Sequence, residues 1–201
     1  MALKEILYFD RPGPRNTDGV IKAVKNRAKE LGIGHVVVAS TRGETGLKFC
    51  EALQGTGIIL VSVSEHAGFY QPDEVPISAE NRQALESRGA RVFVGSHALS
   101  GVARSITNKF GGISHVELIA HVLRQFGGEG LKVAVEVAIM AADAGLIPTD
   151  REVVAVGGTG RGADTAIVLK AAHMNSFFDL EVREIIAKPR QRKLPGDEVE
   201  S

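Results

Sequence analysis

His35-Val36-Val37-Val38-Ala39-Ser40-Thr41-Arg42-Gly43-Glu44-Thr45-Gly46 decides the fold class. Val36 to Ala39 form a continuous apolar run, the pattern of a strand covered on both faces. Ser40 to Gly46 then bring small and hydroxyl residues, and a helix to about Gln54 follows. The clearest recurrence of this strand, loop and helix reading is Val153-Val154-Ala155-Val156 followed by Gly157-Gly158-Thr159-Gly160-Arg161-Gly162-Ala163-Asp164-Thr165. A looser third is Gly95-Ser96-His97-Ala98-Leu99-Ser100-Gly101. Glycine lets the backbone approach an anion, and the free amides and dipole of a helix start favour negative charge. Ligands of open α/β sheets sit beyond the carboxyl ends of strands. The three loops are therefore expected to meet at one site and to hold a phosphorylated ligand.

Working outward, strands alternate with helices. Leu3–Phe9 reads as an edge strand, Thr17–Leu31 as a helix with its stripe at Val20, Val24, Ala28 and Leu31, and Ile58–Val63 as a buried strand. The long loop Ser64–Ile77 is stiffened by Pro72 and Pro76. Ser78 caps a helix through Arg88, and Arg91–Val94 is a strand. Ser96–Gly112 is polar and broken by glycine. Ser114 with Glu117 forms a capping box, opening two helices, Ser114–Phe126 and Leu131–Ala144. Arg151–Val156 reads as a strand, Asp164–His173 as a helix and Leu180–Ala187 as the last strand. The class is α/β, a three-layer sandwich with a mostly parallel sheet. Residues 1–187 read as one domain and 188–201 as a charged tail with Pro189 and Pro195, an extension or interface arm.

Composition narrows the classes of function. The chain has 201 residues, with 24 Lys and Arg against 24 Asp and Glu. That balance argues against a general nucleic-acid or anionic-membrane surface. Cys50 is the single cysteine, so no internal disulfide forms, and a reducing cytoplasm is the expected location. Met1-Ala2-Leu3-Lys4-Glu5 lacks the apolar core of a signal peptide, and no apolar run approaches the ~20 residues of a membrane span.

Each candidate site residue has a structural alternative. Gly157–Thr165 is not a Walker A loop, because the Lys-Ser/Thr pair is missing, and it fails the G-x-G-x-x-G spacing of a dinucleotide fold. Gly157, Gly158, Thr159, Gly160, Arg161, Gly162 and Thr165 remain phosphate or ring contacts, with Arg161 able to pair bidentately or to stack. The alternative is a tight turn without ligand. Asp164 reads as the helix N-cap. In the other loop, Ser40, Thr41 and Thr45 offer hydroxyls, Arg42 charge, and Gly43 and Gly46 close approach; the alternative is a capped helix start facing water. His66 and Tyr70 can cover a flat ring or bond its edge, or merely sit on a loop pinned by Phe69 and Tyr70. His97, after a strand, is a site residue or a structural one. His66 and His97 are the two catalytic candidates, as proton carriers. Asn108 and Lys109 are weaker candidates. Glu136 and Asp143 share one face of an apolar helix; Lys132 stands four residues before Glu136, and Asp143 reads as structural. His115, Glu117 and His121 lack the spacing of a metal motif, and no metal is expected. Cys50 reads as core.

Ala39–Gly46 resembles the corresponding loop in the C-terminal α/β domain of pyruvate kinase, which in some of those enzymes binds the phosphate of a sugar-bisphosphate effector. Over Ala39–Gly46, Lys132–Gly145 and Gly157–Thr165, the chain resembles a small group of stand-alone archaeal and bacterial proteins described as pyruvate-kinase α/β-domain-like. The resemblance implies that fold over most of the chain and flavin mononucleotide (FMN) as cofactor; nothing in the spacing distinguishes FMN from another phosphorylated ligand. It also favours Ser40–Gly46 as the phosphate seat, with Gly157–Thr165 along the sugar or ring. The 201 residues read as carrying no barrel domain, so a pyruvate kinase reaction is not expected of them. Three readings follow: an FMN binder with flavin redox chemistry, a non-catalytic sensor of a phosphorylated sugar or nucleotide, and a non-flavin enzyme using His66 or His97 as base. Glycine-broken segments and the charged tail offer surfaces for a homo-oligomer.

Overall fold

In the computed structural model, which describes residues 3–192, seven strands make one sheet. They are β1 (Leu7–Phe9), β2 (His35–Ala39), β3 (Ile59–Glu65), β4 (Arg91–Gly95), β5 (Glu152–Gly157), β6 (Thr165–Lys170) and β7 (Glu181–Pro189). The helices are α1 (Thr17–Leu31), α2 (Glu44–Leu53), α3 (Ala79–Ser87), α4 (Val102–Phe110) and α5 (His115–Asp143). The spatial order is β1-β7-β6-β5-β2-β3-β4. Only β6 runs against the rest, pairing antiparallel with β5 and β7. From β2 the chain moves one way to β3 and β4; after α5 it returns on the other side of β2 as β5.

Alternation along β2 sends its apolar residues to both faces. Val36 and Val38 join Val20 and Val24 of α1, Phe49 of α2 and Leu85 of α3. Val37 joins Ala134, Ala138 and Ile139 of α5. These make the three layers. Val36, Val37 and Val38 are fully buried, and burial of each such side chain contributes about 1.5–3 kcal/mol.

α5 lies against β5 and β6 with glycine between them. A Cβ at Gly157 would overlap the Gly130 carbonyl oxygen, and one at Gly130 would overlap the Thr165 hydroxyl. Ser114 and Glu117 form the expected capping box, and the helix breaks at Gly128 (φ 79°), between the two helices read from the sequence. No helix among the described residues is long and apolar enough to cross a membrane.

Two expectations need correction, and one stretch gains an element. Asp164–His173 is not a helix: Thr165–Lys170 is β6. Gly158–Asp164 is too short for a parallel crossover, which needs a dozen or more residues, so the chain doubles back antiparallel. Ala166 to Leu169 are fully buried, and a short run that is apolar all round hides its period. Within Ser96–Gly112, read as polar and broken by glycine with no element assigned, lies α4. The stripe Val102, Ile106 and Phe110 has helical spacing, yet all three residues are exposed, as are Leu118, Val122 and Phe126 on the first half of α5. Finally, β7 runs through Lys188 and Pro189, which pair with Tyr8 and Phe9, so the sheet continues past the expected boundary at 187. Residues 193–201 of the expected tail lie outside the described residues.

Candidate functional site

A cleft of about 340 Å³ opens where the chains leave β2, β3, β4 and β5, with α5 as its remaining wall. That volume lies within the usual range for small-ligand pockets. Ser40, Thr41, Arg42 and Thr45 line it from the β2–α2 loop; Gly158, Gly160, Arg161 and Gly162 line it from the β5–β6 loop; Tyr70 and His97 line it from the other two. The loops expected to converge do so.

Local chemistry positions the first wall. The Ser40 amide donates to Val63 O, which anchors the loop to β3. The Ser40 hydroxyl accepts from the Gly46 amide at 2.8 Å, satisfying one of the four unpaired donors at the start of α2. The Glu44 and Thr45 amides have no partner among the described residues and stay available beside the cleft. Asn81 holds the Arg42 carbonyl at 2.8 Å. Gly43 turns the chain at φ 93°, with Ile77 and Asn81 against it. Gly43 and Gly46 are buried against neighbouring elements and do not face the cleft. Ser64 donates to Thr41 O at 2.6 Å, tying this loop to β3 again.

The second wall differs from expectation, since a hairpin connection has no helix start to offer. Asp164 is not an N-cap. It is fully buried and accepts from the Gly13 amide at 3.0 Å, the Thr159 amide at 3.1 Å and the Thr165 hydroxyl at 2.8 Å. Thr17 bonds Pro14 O and receives the Ala163 amide alongside. Asp164 thus clamps the β1–α1 loop to the β5–β6 loop. Gly157 is buried under α5, Thr165 is buried and engaged by Asp164, and Thr159 does not line the cleft. Arg161 is exposed at its rim, as is Arg42 on the facing loop. Neither guanidinium has an acidic partner among the described residues.

The third wall is aromatic and titratable. Phe69 packs its ring 4.9 Å from Tyr70 and 5.0 Å from His97, centroid to centroid. His66 stays outside the cleft lining; its Nδ1 lies 2.6 Å from Ala67 O, and its ring is 6.1 Å from His97. Burial pushes the His97 imidazole below its ordinary value, which favours its neutral form. Its Nε2 lies 3.7 Å from Glu65 Oε1. Burial pushes the Glu65 carboxyl up, partly opposed by the nearby Tyr70 and Thr41 hydroxyls. Glu65 Oε2 is buried without a hydrogen-bond partner.

α5 supplies Glu129, Val133, Glu136, Val137 and Met140. Glu136, 2% exposed, accepts from the Lys132 ammonium at 2.5 Å and from the Leu99 amide at 2.8 Å. It therefore ties the loop carrying His97 to the helix. Burial pulls the Lys132 amine down against the pull of Glu136. Asp143, read as structural, accepts from the Met174 amide and lies beside His173, each at 3.1 Å. Glu117 accepts from Thr107 and Ser114. Asn108 and Lys109 lie on exposed α4, away from the cleft. Cys50 is buried, which raises its thiol and keeps it unreactive.

Glu65, Phe69 and the inner face of α5 were not chosen from the sequence. A signal existed for Glu65, a charged residue at the carboxyl end of an apolar strand, where α/β sheets place their ligands. For Val133, Val137 and Met140 there was none, because cleft-lining and core-lining apolar residues on one helix look alike.

O-ureido-L-serine synthase is among the similar solved structures, 18% identical with a TM-score of 0.30, and the match covers 64% of this chain and 39% of that one. A mutant of that synthase with O-ureido-L-serine bound is 19% identical with the same TM-score and coverage. The match therefore spans well under half of the synthase chain. Residues 18–169 match the family model described as "Pyruvate kinase, alpha/beta domain", a stretch that contains the β2–α2 loop, α5 and the β5–β6 loop, and the chain belongs to that family.

Proposed function

We propose that the cleft binds a phosphorylated ligand, FMN being the reading favoured, in the manner of the stand-alone FMN-holding proteins that the chain resembles. The observation that carries this is the meeting of the open amides at the start of α2 with Arg42 and Arg161 in a cleft also lined by Phe69, Tyr70 and His97. Phosphate sits on the Glu44 and Thr45 amides, because this loop leads into a helix dipole at the cleft, whereas the β5–β6 glycine loop leads into a strand. Thr41 and Thr45 add hydroxyls, and the two arginines supply charge. The flat end lies toward the aromatic wall. Bound flavin would supply any redox chemistry, and these residues would bind and orient it. The buried single cysteine fits a reducing cytoplasm.

FMN at 100 times its dissociation constant stabilises by about 2.7 kcal/mol, roughly 5–10 °C in melting temperature for a chain of this size. A colourless purified protein whose melting temperature ignores added FMN would sink the reading. One observation favours a second reading: two arginines on separate loops suit a ligand with two phosphates. A sensor of a sugar bisphosphate would then be stabilised by that compound and not by FMN. The exposed stripes of α4 and α5 support a homo-oligomer. Light scattering of Phe110→Ser should then show a smaller assembly than the parent protein, and equal masses would remove the idea.

A further inference from the structure

Glu65 is the least settled group in the cleft. It ends β3 beside Gly95 of β4, and its side chain is 18% exposed. Oε2 is buried with no partner, while Oε1 is 3.7 Å from His97 Nε2, too far for a hydrogen bond. A buried polar atom in that condition costs about 1–3 kcal/mol, and more when charged, which favours the neutral carboxyl; Glu65 lines the cleft, where a ligand can meet the part of its carboxyl that is not buried. Resting on the reading of the cleft as an FMN-type site, we propose that Glu65 acts as a carboxylic-acid donor to a hydrogen-bond acceptor on the flat end of the ligand. The site would then take a phosphorylated molecule carrying a ring carbonyl or ring nitrogen, and release it as pH rises.

The surroundings favour the acid form. Burial favours the neutral carboxyl, and Glu136 on α5 adds like charge that works the same way. His66 on the β3–α3 loop, with the Tyr70 and Thr41 hydroxyls, works in the opposite sense and is outweighed. Lys132 is bonded to Glu136 and does not reach Glu65 as a partner. Burial lowers the His97 imidazole, which disfavours a cation beside Oε1. Once ionised, Glu65 would face the ligand acceptor with like partial charge. Arg42, at the phosphate end, is unaffected by this titration in the working pH range.

Wild type, Glu65→Gln and Glu65→Ala should be titrated with FMN, riboflavin and inorganic phosphate from about pH 5.5 to 8.5, by flavin fluorescence and calorimetry. Glutamine keeps a neutral donor. Wild type should lose FMN and riboflavin affinity by about tenfold relative to Glu65→Gln as pH rises, the value of one hydrogen bond. Glu65→Ala should be weaker than Glu65→Gln throughout, and phosphate should bind all three alike. Coincident pH profiles for wild type and Glu65→Gln would overturn the donor role alone. Wild type that takes phosphate but no FMN at any pH would overturn the FMN reading and this role with it. A carboxyl NMR titration in free protein gives a second test: Glu65 should stay protonated above the ordinary glutamate range, and ordinary titration would refute the idea even where variants fold poorly.

Discussion

Replacing Glu136 by Ala tests the physical account of the α5 wall most severely. The carboxylate holds two buried donors, the Lys132 ammonium at 2.5 Å and the Leu99 amide at 2.8 Å. Lys132 is 5% exposed, so its charge would be left in a low dielectric. Breaking a buried pair by removing one partner costs about 3–5 kcal/mol, and an orphaned buried amide about 1–3 kcal/mol. The two do not simply add. The Lys132 amine already sits below its ordinary 10.5 through burial, and without Glu136 it sheds its proton more readily, which relieves part of the penalty. The expected loss is about 3–5 kcal/mol, or roughly 6–20 °C in melting temperature. The double change Lys132→Met with Glu136→Leu removes both charges and leaves only the Leu99 amide unpaired. Its loss should fall short of the sum of the single changes by about 2 kcal/mol or more. Urea unfolding at constant m-value measures each term. The pH dependence carries a sign as well. Between the lowered folded value of Lys132 and 10.5 the unfolded chain binds more protons, so stability rises with pH across that window, and more steeply in Glu136→Ala. A loss below 1 kcal/mol in Glu136→Ala, or strict additivity in the double change, would refute the buried-pair account.

Asp164→Ala should orphan the Gly13 and Thr159 amides at about 1–3 kcal/mol each, and hydrogen exchange should accelerate at both residues. Gly43→Ala puts a Cβ at φ 93° and 2.8 Å from the Asn81 Cβ, so calorimetry should show a loss of about 1–3 kcal/mol. Arg42→Ala and Arg161→Ala should each weaken a phosphorylated ligand by about 1.5 kcal/mol, roughly tenfold, with little change in melting temperature. Because the folded Glu65 carboxyl is raised above its ordinary 4.5, the folded protein holds the extra proton just above that pH, and stability falls as pH climbs through the window. Glu65→Gln should remove that fall, leaving a higher melting temperature than wild type at neutral pH and none of the gain near pH 4.

Local signals that agreed with tertiary demands were legible. Val20, Val24 and Ala28 mark α1 because one stripe meets the core, and Ser114 with Glu117 marks the start of α5 because both side chains satisfy backbone donors. What failed was set by neighbours. Thr165–Lys170 has no distinguishing period, and its direction is fixed by how short Gly158–Asp164 is. The Asp164 carboxylate reads as a helix cap from sequence alone; its donors at Gly13 and Thr159 come from other turns of the chain. α4 was hidden because its apolar stripe is left exposed among the described residues.

The same topology explains why the site was visible even though one of its loops was misread. Sheet order reverses between β2 and β5: the chain after β2 goes one way and the chain after β5 goes the other. Two adjacent strands whose connections diverge leave a crevice at their carboxyl ends. Ser40–Gly46 and Gly158–Gly162 are the segments that leave those ends, so they face one another whether the second leads into a helix or a strand. The misreading matters for chemistry. A second helix start would have made two equivalent anion seats. A hairpin there leaves the proposed seat at α2 and turns the glycine loop into a thin wall that brings Arg161 to the cleft. Asp164 holds that wall to Gly13 by 3.0 Å and Thr159 by 3.1 Å. On the proposed reading, the asymmetry gives the cleft a polarity, anion at the β2–α2 loop and flat group toward Phe69 and Glu65, which is the orientation that binding by the Arg42, Arg161 and Glu65 variants would test together.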